Sequence, residues 1–197
     1  MDFTNYKVER IEKKNCTDFL EKYHYLAKQG CSYRFGVAYG LFKETKLVGV
    51  AVFHGVSAQE TVKGCFGLTD GSQKGFWELG RFALDDNHHG KNCGSWFLSR
   101  CIKQLRKETE VRAIISYADS DLHNGGLYAA VNFKYYGLTA PKKDFFVKQP
   151  DGTFKKQSRG VTKGVEGEWR PRSRKHRYLI TYDKTLHTKW QEEKYPK

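Results

Sequence analysis

The chain has 197 residues, and its 35 Lys plus Arg against 22 Asp plus Glu give a formal net charge of +13. A length near 200 suits one domain, and an aromatic content of 15% excludes wholesale disorder, because disordered chains are poor in aromatic residues. No apolar run approaches the roughly 18 residues of a membrane span, and the first residues lack a secretory signal pattern. We therefore expect a soluble protein that works in the compartment where it is made.

Five cysteines are scattered along the chain and form no Cys-x-x-Cys pair. This spacing argues against a disulfide framework and against a structural zinc site, and it indicates a reducing compartment. We interpret all five as core or incidental thiols. They are Cys16, Cys31, Cys65, Cys93 and Cys101.

The first half of the chain predicts one helix and three strands. Apolar side chains at helical spacing predict a helix over 17–28 with Thr17 as its N-cap. β-Branched and aromatic residues predict the two strands of a hairpin over 34–41 and 46–56. The segment 75–84 predicts a third strand, since turn-forming residues follow it.

The second half alternates helices with strands. An apolar row predicts a helix over 95–107, a fully apolar segment predicts a strand buried on both faces over 111–118, and a short helix is predicted over 127–133. Strand, glycine turn, helix and strand in this order imply a parallel crossover. We therefore predict the α/β fold class, with a central twisted mixed sheet flanked by helices. Beyond these elements, a hairpin is predicted at 149–152 and a last strand over 177–182.

The positive charge is concentrated towards the C-terminal end. Residues 142–177 carry 12 Lys or Arg and 4 Asp or Glu, a net charge of +8. Such a field attracts polyanions such as nucleic acid, anionic lipid or phosphorylated cofactors, while the alternative is a basic surface that only serves solubility. The cations that would neutralise phosphates are Lys142, Lys143, Lys155, Lys156, Arg159, Arg170, Arg172, Arg174 and Lys175.

Aromatic residues are interleaved with these cations. They could stack on nucleic-acid bases or wedge into a groove. The alternative is burial against a sheet, which we expect for at least half of them. These residues are Phe145, Phe146, Phe154 and Trp169.

A glycine-containing turn lies between the third predicted strand and the helix that follows it. Backbone N–H groups of Gly94, Ser95 and Trp96 at a helix N-terminus would meet a phosphate with the positive end of the helix dipole. Lys91 adds a cation, and the Ser95 hydroxyl adds a donor. The alternative is an ordinary turn capped by Asn92, because a lone glycine turn is weak evidence.

Two charged residues lie on the third predicted strand. Arg81 has mostly apolar neighbours, where an unpaired charge is costly, so a structural salt bridge and a ligand contact both fit it. Glu78 precedes it by three positions, and the two side chains point to opposite faces unless a bulge at Gly80 intervenes.

Two further polar residues are candidates for chemistry. Asp119 ends the buried strand at the carboxyl edge, where open α/β sheets bind ligands. It could orient or deprotonate an attacking amine, or it could cap the following turn. His24 lies on the first predicted helix and is a candidate base, because an imidazole titrates near neutral pH. The alternative for His24 is a surface or packing role.

The order of the elements resembles the GNAT acyltransferase fold. Residues 127–133 resemble the L-Y-x-x-x-G-F segment of that fold, with Asn132 in place of glycine. Residues 91–95 resemble the turn that receives the pyrophosphate of acyl-CoA, and Trp96 stands where a small residue is usual. The resemblance implies that Tyr128 lies near the cofactor sulfur and protonates the departing thiolate. The alternative is that Tyr128 only packs between helix and sheet.

A narrower set of motifs resembles the phage Mom family, over about residues 18–140 and 175–182. Members of this family modify adenine in DNA and protect the DNA from restriction. The resemblance therefore implies a DNA adenine modification enzyme whose product carries a methylcarbamoyl-type (acetamido) group derived from acetyl-CoA. The motifs are Y-H-Y at 23–25, E-L-G-R at 78–81, K-N-C-G-S-W-F at 91–97, S-Y-A-D at 116–119 and H-N-G-G-L-Y-A-A-V-N-F at 123–133.

The same resemblance implies partners and site residues. Acetyl-CoA or a related acyl-CoA is the implied cofactor and double-stranded DNA the implied partner, with no membrane; a homodimer and an iron site at His24 and Asp119 stay open. The chain would be a single GNAT-like domain with a basic insertion at about 142–176, in the cytoplasm of the infected bacterial host. The implied cofactor contacts are Arg81, Lys91, Asn92, Gly94 and Ser95. The implied catalytic residues are His24, Tyr25, Glu78, Asp119 and Tyr128.

Two other functions fit these residues. One is a GNAT-type N-acyltransferase that acts on an amine of a hypermodified base, a protein or a small molecule. The other is a non-catalytic DNA-binding protein that keeps the fold. The basic insertion argues against a small-molecule substrate, and binding of acyl-CoA would separate an enzyme from a protein that only binds DNA.

Overall fold

A seven-stranded sheet forms the centre of the protein. It is seen in a computed structural model, which describes residues 3–28, 32–69, 72–88, 90–157 and 162–196. The strands are β1 (Tyr6–Arg10), β2 (Val37–Lys43), β3 (Lys46–Gly55), β4 (Phe76–Leu84), β5 (Ala113–Asp119), β6 (Lys134–Leu138), β7 (Lys142–Lys148), β8 (Phe154–Lys156), β9 (Gly167–Arg172) and β10 (Lys175–Thr181). The helices are α1 (Lys13–Tyr23), α2 (Tyr25–Lys28), α3 (Gln59–Phe66), α4 (Cys93–Glu108) and α5 (Gly126–Ala129), with a 3-10 turn at Asp86–His88.

The central sheet is mixed. Its strand order is β1-β2-β3-β4-β5-β10-β6. β4 and β5 run parallel, while the other neighbouring strands run antiparallel. A parallel pair needs a long crossover, and α4 supplies it between β4 and β5. The predicted α/β class with a parallel crossover is therefore confirmed.

Helices cover both faces of this sheet because successive strand residues point to opposite sides. On one face, α4 buries Phe97, Leu98 and Leu105 against Tyr39 and Phe53. Each fully buried apolar side chain contributes roughly 1.5–3 kcal/mol relative to exposure.

The opposite face of the sheet is covered by α1. That helix buries Cys16, Phe19 and Leu20 against Val50 and Val52. A third cluster joins α3 to β4 and β5 on the sheet.

The first helix differs from its prediction at both ends. It begins at Lys13, so Thr17 lies inside the helix, where its Oγ1 donates to the Lys13 carbonyl at 3.0 Å. The prediction of Thr17 as the N-cap is therefore wrong. The helix ends at Tyr23 because His24 has extended backbone (φ −104°, ψ 125°), and the short α2 follows it.

The last predicted helix is one turn long. α5 ends at Ala129, and the amides of Val131 and Phe133 both donate to the Tyr128 carbonyl at 3.1 and 3.0 Å. Asn132 between them has φ +67°. Asn tolerates the left-handed region better than other residues with a side chain, which explains how it replaces glycine here.

The basic segment after β6 folds into a second sheet. β7 pairs with β8 on one side and with β9 on the other, both antiparallel. The predicted hairpin is present, since Gly152 N–H donates to the Gln149 carbonyl at 2.9 Å and has φ +82°. We call this three-stranded sheet the insert sheet. Arg159 lies outside the described residues.

The chain after β10 runs back along the sheet. Lys189 N–H donates to the Cys65 carbonyl on α3 at 2.6 Å, and Glu193 N–H donates to the Tyr135 carbonyl on β6 at 2.9 Å. The tail thus covers the open edge of β6, which would otherwise expose unpaired backbone groups.

The described cysteines are buried free thiols, as expected from their spacing. Burial raises the pKa of Cys16 to about 12 and that of Cys65 to about 11. Cys31 lies outside the described residues. Within the described residues, every helix is too short or too polar to cross a bilayer.

Candidate active-site cleft

A cleft opens where β4 and β5 separate. The two strands pair from Phe76 with Ala113 to Leu79 with Ser116 and then part. The cleft has a volume of about 960 Å³, and its walls come from β4, β5, α2, α5, the loop before α5 and the insert sheet. Nine of the predicted site residues line it: His24, Tyr25, Glu78, Arg81, Asp119, Tyr128, Lys142, Arg172 and Lys175.

A β-bulge places both charged residues of β4 in this cleft. Val52 pairs with Arg81 and Phe53 pairs with Leu79, so Gly80 is the extra residue. The bulge shifts the alternation by one position, and Glu78 and Arg81 therefore line the same cleft although they are three residues apart.

Gly80 is required at this bulge by a close neighbour. A Cβ on Gly80 would collide with Nε2 of His54. His54 is 6% exposed, and its Nδ1 lies 2.8 Å from the Gly55 carbonyl. The imidazole thus packs directly against the bulge and supports its shape.

Arg81 is held against the cleft wall by backbone carbonyls. One Nη donates to the Gly80 carbonyl at 2.7 Å and the other to the Ser32 carbonyl at 3.1 Å. The guanidinium also lies 5.9 Å from the ring centre of Tyr33. These contacts fix a positive charge beside the bulge.

Glu78 is a half-buried carboxylate with few bonds. Its Oε2 accepts the Ser57 N–H at 3.2 Å, and within the described part of the chain it has no cationic partner. Tyr117 lies near it: burial and the Glu78 charge raise the pKa of the Tyr117 phenol to about 12. Glu78 therefore retains the capacity to accept a proton from a substrate.

Asp119 is by contrast fully engaged. Its Oδ2 accepts from Lys175 Nζ and from Ser173 Oγ at 2.9 Å, and its Oδ1 accepts the Asp121 N–H at 3.1 Å. Burial alone would raise the pKa of Asp119, but these hydrogen bonds lower it below the usual value. Of the two predicted roles, the geometry favours orientation over deprotonation, because an ion-paired carboxylate is a weak base.

His24 is buried in neutral form beside the cleft. Burial, with the nearby charges of Arg81 and His123, lowers the pKa of His24 to about 4. Its Nδ1 accepts the Leu26 N–H at 3.2 Å, so the ring proton resides on Nε2. The geometry therefore makes His24 a hydrogen-bond donor towards a ligand rather than the base that the sequence suggested.

An aromatic cluster joins α2 to the loop before α5. The Tyr25 ring lies 4.8 Å from the ring of His24 and 5.6 Å from the ring of His123. Tyr25, His24 and His123 all line the cleft. Their ring faces offer a stacking surface for a planar ligand.

Tyr128 lies close to the point where the strands part. Burial raises the pKa of its phenol, while an interaction with the Ser116 hydroxyl opposes this rise. Ser116 Oγ itself donates to the Leu79 carbonyl at 3.0 Å, and the Tyr128 ring packs 4.8 Å from that of Tyr178. The phenol is therefore protonated at neutral pH, and it lies beside Ser116, at the point where the two strands part.

The glycine turn precedes α4, which begins at Cys93. Trp96 N–H and the Ser95 hydroxyl both donate to the Asn92 carbonyl, at 2.9 and 3.1 Å, so the predictions that these two groups meet a phosphate are wrong. The amides of Gly94 and Ser95 fall in the first turn, where helical N–H groups have no acceptor within the helix. Lys91 beside them is exposed.

Neither the Trp96 side chain nor the Asn92 side chain blocks this turn. The Trp96 indole stacks on Phe3, with ring centres 4.6 Å apart. Asn92 caps through its carbonyl, and its side chain makes no capping bond. A Cβ on Gly94 would lie 3.2 Å from Leu127, which lines the cleft, so the turn lies next to the part of the cleft wall that Leu127 forms.

The insert sheet brings part of the basic segment to the cleft. Lys142 on β7 faces Arg172 on β9 in the strand register, and both line the cleft with Lys175. We call these three residues the cationic row. Lys175 is paired with Asp119, while within the described residues Lys142 and Arg172 have no ion pair.

Two other predicted phosphate contacts lie on the same face of the insert sheet as Lys142. Each of them forms an ion pair with an acidic residue of that sheet. Lys156 pairs with Asp144 at 2.6 Å, and Arg170 pairs with Glu168. Arg170 also lies between the rings of Phe146 and Phe154, at 4.8 and 4.6 Å.

Among the described residues, the other predicted phosphate contacts, Lys143, Lys155 and Arg174, do not line the cleft. Lys143 and Lys155 lie on the opposite face of the insert sheet, because strand neighbours alternate. Arg174 donates to the Thr139 carbonyl at 2.7 Å. Of the four interleaved aromatics, Phe145 is buried, Phe146 is half-buried, and Phe154 and Trp169 are 37% and 55% exposed, so the expectation that at least half of them are buried is wrong.

The predicted iron ligands do not form a metal site. Among the described residues, no three His, Cys, Asp or Glu side chains come close enough to hold a metal ion. Both oxygens of Asp119 accept hydrogen bonds from protein groups, and His24 Nδ1 accepts from Leu26. This donor set does not fit iron.

The cleft contains functional groups that the sequence analysis missed. Tyr117 shares the Asp119 side of β5, so the two-residue alternation of the strand could have revealed it. Ser57 precedes α3, in a segment for which no element was predicted. Lys175 was predicted as a phosphate contact, but its ion pair with Asp119 spans 56 positions of sequence, and no local pattern signals such a pairing.

Solved structures with the same fold are acetyltransferases. A Bacillus subtilis acetyltransferase in complex with CoA has a TM-score of 0.54 and 16% identity, over 90% of this chain and 99% of that one. The putative acetyltransferase YncA of Salmonella typhimurium with acetyl-CoA has a TM-score of 0.54 and 14% identity, over 92% and 96%. The ribosomal-protein-S18-alanine N-acetyltransferase of Escherichia coli has a TM-score of 0.52 and 12% identity, over 92% and 99%. These similarities show the GNAT fold.

Sequence comparison gives the family. No curated protein matches the chain significantly. The sequence model of the Mom protein family matches residues 5–197, which is nearly the whole chain. The protein therefore has the GNAT fold and belongs to the Mom protein family.

Proposed function

We propose that this protein transfers an acyl group from acyl-CoA to the exocyclic amino group of adenine in DNA. One observation carries the proposal: Glu78, Tyr128 and the cationic row line a single cleft between the parted strands, and the helix N-terminal turn lies beside Leu127 of the cleft wall. The solved acetyltransferases of this fold include complexes with CoA and with acetyl-CoA, and family membership supports the DNA substrate.

The chain offers a site that fits acyl-CoA. The N–H groups of Gly94 and Ser95 at the positive end of the 16-residue α4 helix suit the pyrophosphate. Lys91 and Arg81 add positive charge, and Asn92 shapes the turn through its left-handed backbone. When bound, acyl-CoA supplies an activated thioester.

The proposed proton transfers use two residues at the head of the cleft. Glu78 accepts the proton that the adenine amine loses as its nitrogen forms a bond to the acyl carbon. Tyr128 donates a proton to the sulfur as the carbon–sulfur bond breaks, for which burial keeps its phenol protonated. His24 Nε2–H and the aromatic faces of Tyr25 and His123 hold the base.

Direct transfer of this kind gives an N-acyl adenine. The acetamido product that the Mom family resemblance implies contains one more nitrogen, and the residues of the cleft supply no chemistry for it. The proposal is therefore an acetyl-CoA-derived modification of adenine, with protection of phage DNA against restriction as its biological role.

The cationic row supports DNA as the acceptor. Lys142 and Arg172 sit at the cleft without an ion pair among the described residues, which is the arrangement that binds phosphates. A small amine would not need these charges. A base must leave the duplex to reach a buried catalytic group, and the cleft volume of about 960 Å³ leaves room for it.

Nucleoside analysis tests the proposal. The protein is expressed with a plasmid, the DNA is digested to nucleosides, and modified adenosine is measured by mass spectrometry. We expect a heavier adenosine with the wild-type chain and a strong decrease with Tyr128→Phe at equal expression. An unchanged adenosine profile under good expression would refute DNA modification.

Binding measurements separate the other candidates. Calorimetry with acetyl-CoA should show binding by the wild-type chain, and Lys91→Glu should weaken it. DNA binding without acetyl-CoA binding would instead indicate a non-catalytic DNA-binding protein. Acetyl-CoA binding with acylated host lysines and unchanged DNA would indicate a protein acyltransferase.

A further inference from the structure

An exposed leucine lies at the mouth of the cleft. Leu122 is 55% exposed, and it lines the cleft between β5 and α5. Three other large hydrophobic side chains are exposed among the described residues: Phe154, Trp169 and Tyr195. None of these three lines the cleft. A single exposed leucine is ordinary, so its position carries the argument.

The turn that presents Leu122 is rigid. The Leu122 N–H donates to the Asp119 carbonyl at 3.1 Å, and the Asp121 N–H donates to the Asp119 carboxylate at 3.1 Å. The Ser120 N–H donates to the Arg174 carbonyl at 3.0 Å, just before β10. These hydrogen bonds hold the backbone of the turn in the conformation that exposes Leu122.

The same turn adjoins the cationic row. Asp119 binds Lys175 directly, and Lys142 and Arg172 line the cleft with them. An apolar tip thus stands beside cations that suit a phosphate backbone. A docked duplex would place its base stack within reach of Leu122.

We propose that Leu122 inserts into the base stack of duplex DNA, at the gap left when the target adenine turns into the cleft. This inference rests on the proposed function. Base-modifying enzymes must extrude their target, and proteins that distort DNA insert apolar side chains between base steps. The flipped base would lie against Tyr25 and His123, while Leu122 prevents its return. Leu122 is thus a positioning residue.

A comparison of duplex with single-stranded DNA tests this role. The purified full chain and acetyl-CoA are incubated with plasmid DNA, either as duplex or heat-denatured, and modified adenosine is measured by mass spectrometry. Single strands need no base flipping. Leu122→Ala should therefore lose roughly tenfold of its rate on duplex and keep its rate on single strands.

Two variants control for size and exposure. Leu122→Met keeps an apolar tip of similar volume and should retain the duplex rate. Trp169→Ala removes an equally exposed apolar side chain from the insert sheet, and it should leave the ratio of duplex to single-strand rates unchanged. Thermal melting of each variant confirms folding.

Each remaining outcome counts against the proposal. An equal loss of rate on both DNA forms in Leu122→Ala would place Leu122 in substrate or cofactor binding. A loss of rate on duplex in Trp169→Ala alone would show that Trp169, and not Leu122, inserts into the duplex. If the wild-type chain modifies adenine and Leu122→Ala has the same rate on both DNA forms, the insertion of Leu122 is refuted and the proposed function is not. A wild-type chain that modifies neither form refutes the proposed function, and the insertion of Leu122 with it.

Discussion

Two carboxylates face the same cleft in different surroundings. Asp119 accepts hydrogen bonds from Lys175, Ser173 and the Asp121 amide, whereas Glu78 accepts one amide bond and has no cationic partner among the described residues. Environments that differ in this way assign different roles to chemically similar groups. In the proposed reaction Glu78 is the proton acceptor, while Asp119 holds Lys175 and the Leu122 turn in place.

Replacing Glu78 by Gln should lower turnover by roughly 10²–10⁴-fold, the usual effect of losing a general base. Acetyl-CoA affinity should stay unchanged, because the side chain accepts only the Ser57 amide and Gln can still do so. Mass spectrometry of modified adenosine measures turnover, and calorimetry measures affinity. Glu110→Gln, an exposed carboxylate paired with Lys74, is the matched control. Full activity in Glu78→Gln would transfer the role to another group.

Burial of His24 makes stability depend on pH. The folded-state pKa is about 4, below the unfolded value of 6.5, so between these values the unfolded chain binds more protons. Stability is therefore highest above pH 6.5 and falls as the pH is lowered towards 4, by roughly 3 kcal/mol in total for this group.

His24→Gln should remove this part of the pH dependence. Urea unfolding at intervals from pH 7.5 to 4.5 measures it, and the difference between wild type and variant isolates His24 from the carboxylates. The variant should lose less stability than the wild type between pH 6.5 and 4.5. Parallel curves for the two proteins would show that His24 titrates normally in the folded state.

At the scale of the elements, one extra residue in β4 builds the site. The bulge at Gly80 turns Glu78 and Arg81 to the same side of the sheet. The imidazole of His54 fills the space next to Gly80. Bulges next to active sites commonly aim side chains in this way.

Gly80→Ala should destabilise the protein by roughly 1–3 kcal/mol, because the added methyl group overpacks against His54. The double variant Gly80→Ala with His54→Ala should recover part of this loss, since the two side chains are in contact. Chemical denaturation measures both changes. Gly55→Ala on the neighbouring strand meets open space and should change stability little. If the two single effects simply add, the clash is not with His54.

The elements differ in how far their sequences predicted them. β4, α4 and β5 have apolar patterns that predict their type, and the structure confirms them within a few residues. The sequence analysis named a bulge at Gly80 only as the condition under which Glu78 and Arg81 share a face. A sequence does not show which residue of a strand lacks a partner on the neighbouring strand. α3 was missed, since its buried face consists of three residues in eight.

The site was predictable where it depends on local motifs. Tyr128 and the turn at Gly94 were both predicted from short sequence segments. Tyr128 lines the cleft, and the turn lies beside Leu127, which also lines it. The pairing of Asp119 with Lys175 joins strands 56 positions apart. Long-range pairings of this kind depend on strand order, which local patterns do not determine.

For the whole molecule, the distribution of charge matters more than its sum. The strand register places Lys142, Arg170, Arg172 and Lys156 on one face of the insert sheet. Lys142 and Arg172 continue this face into the cleft. Lys156 and Arg170 are ion-paired to Asp144 and Glu168 on the same face, so the positive charge left for phosphates along this path lies at its cleft end, with Lys142 and Arg172.

Charge reversal along this path should weaken DNA binding. The double variant Lys142→Glu with Arg172→Glu removes two phosphate contacts. The plot of log K for DNA binding against log salt concentration has a negative slope, and its magnitude should decrease by about 2. Fluorescence anisotropy at several salt concentrations measures it. Lys103→Glu with Lys107→Glu on the exposed side of α4 changes the net charge equally, and it should leave the slope almost unchanged. Equal slopes in the two double variants would exclude the insert sheet as the docking surface.

Because β4 and β5 part beyond Leu79 and Ser116, residues of α2 and of α5 line one shared cleft. The described cysteines are buried, with thiol pKa values raised by burial, and do not provide a reactive thiolate. A described cysteine is therefore a poor acyl carrier for the proposed reaction, and we expect direct transfer to require acyl-CoA and DNA bound to the protein at the same time.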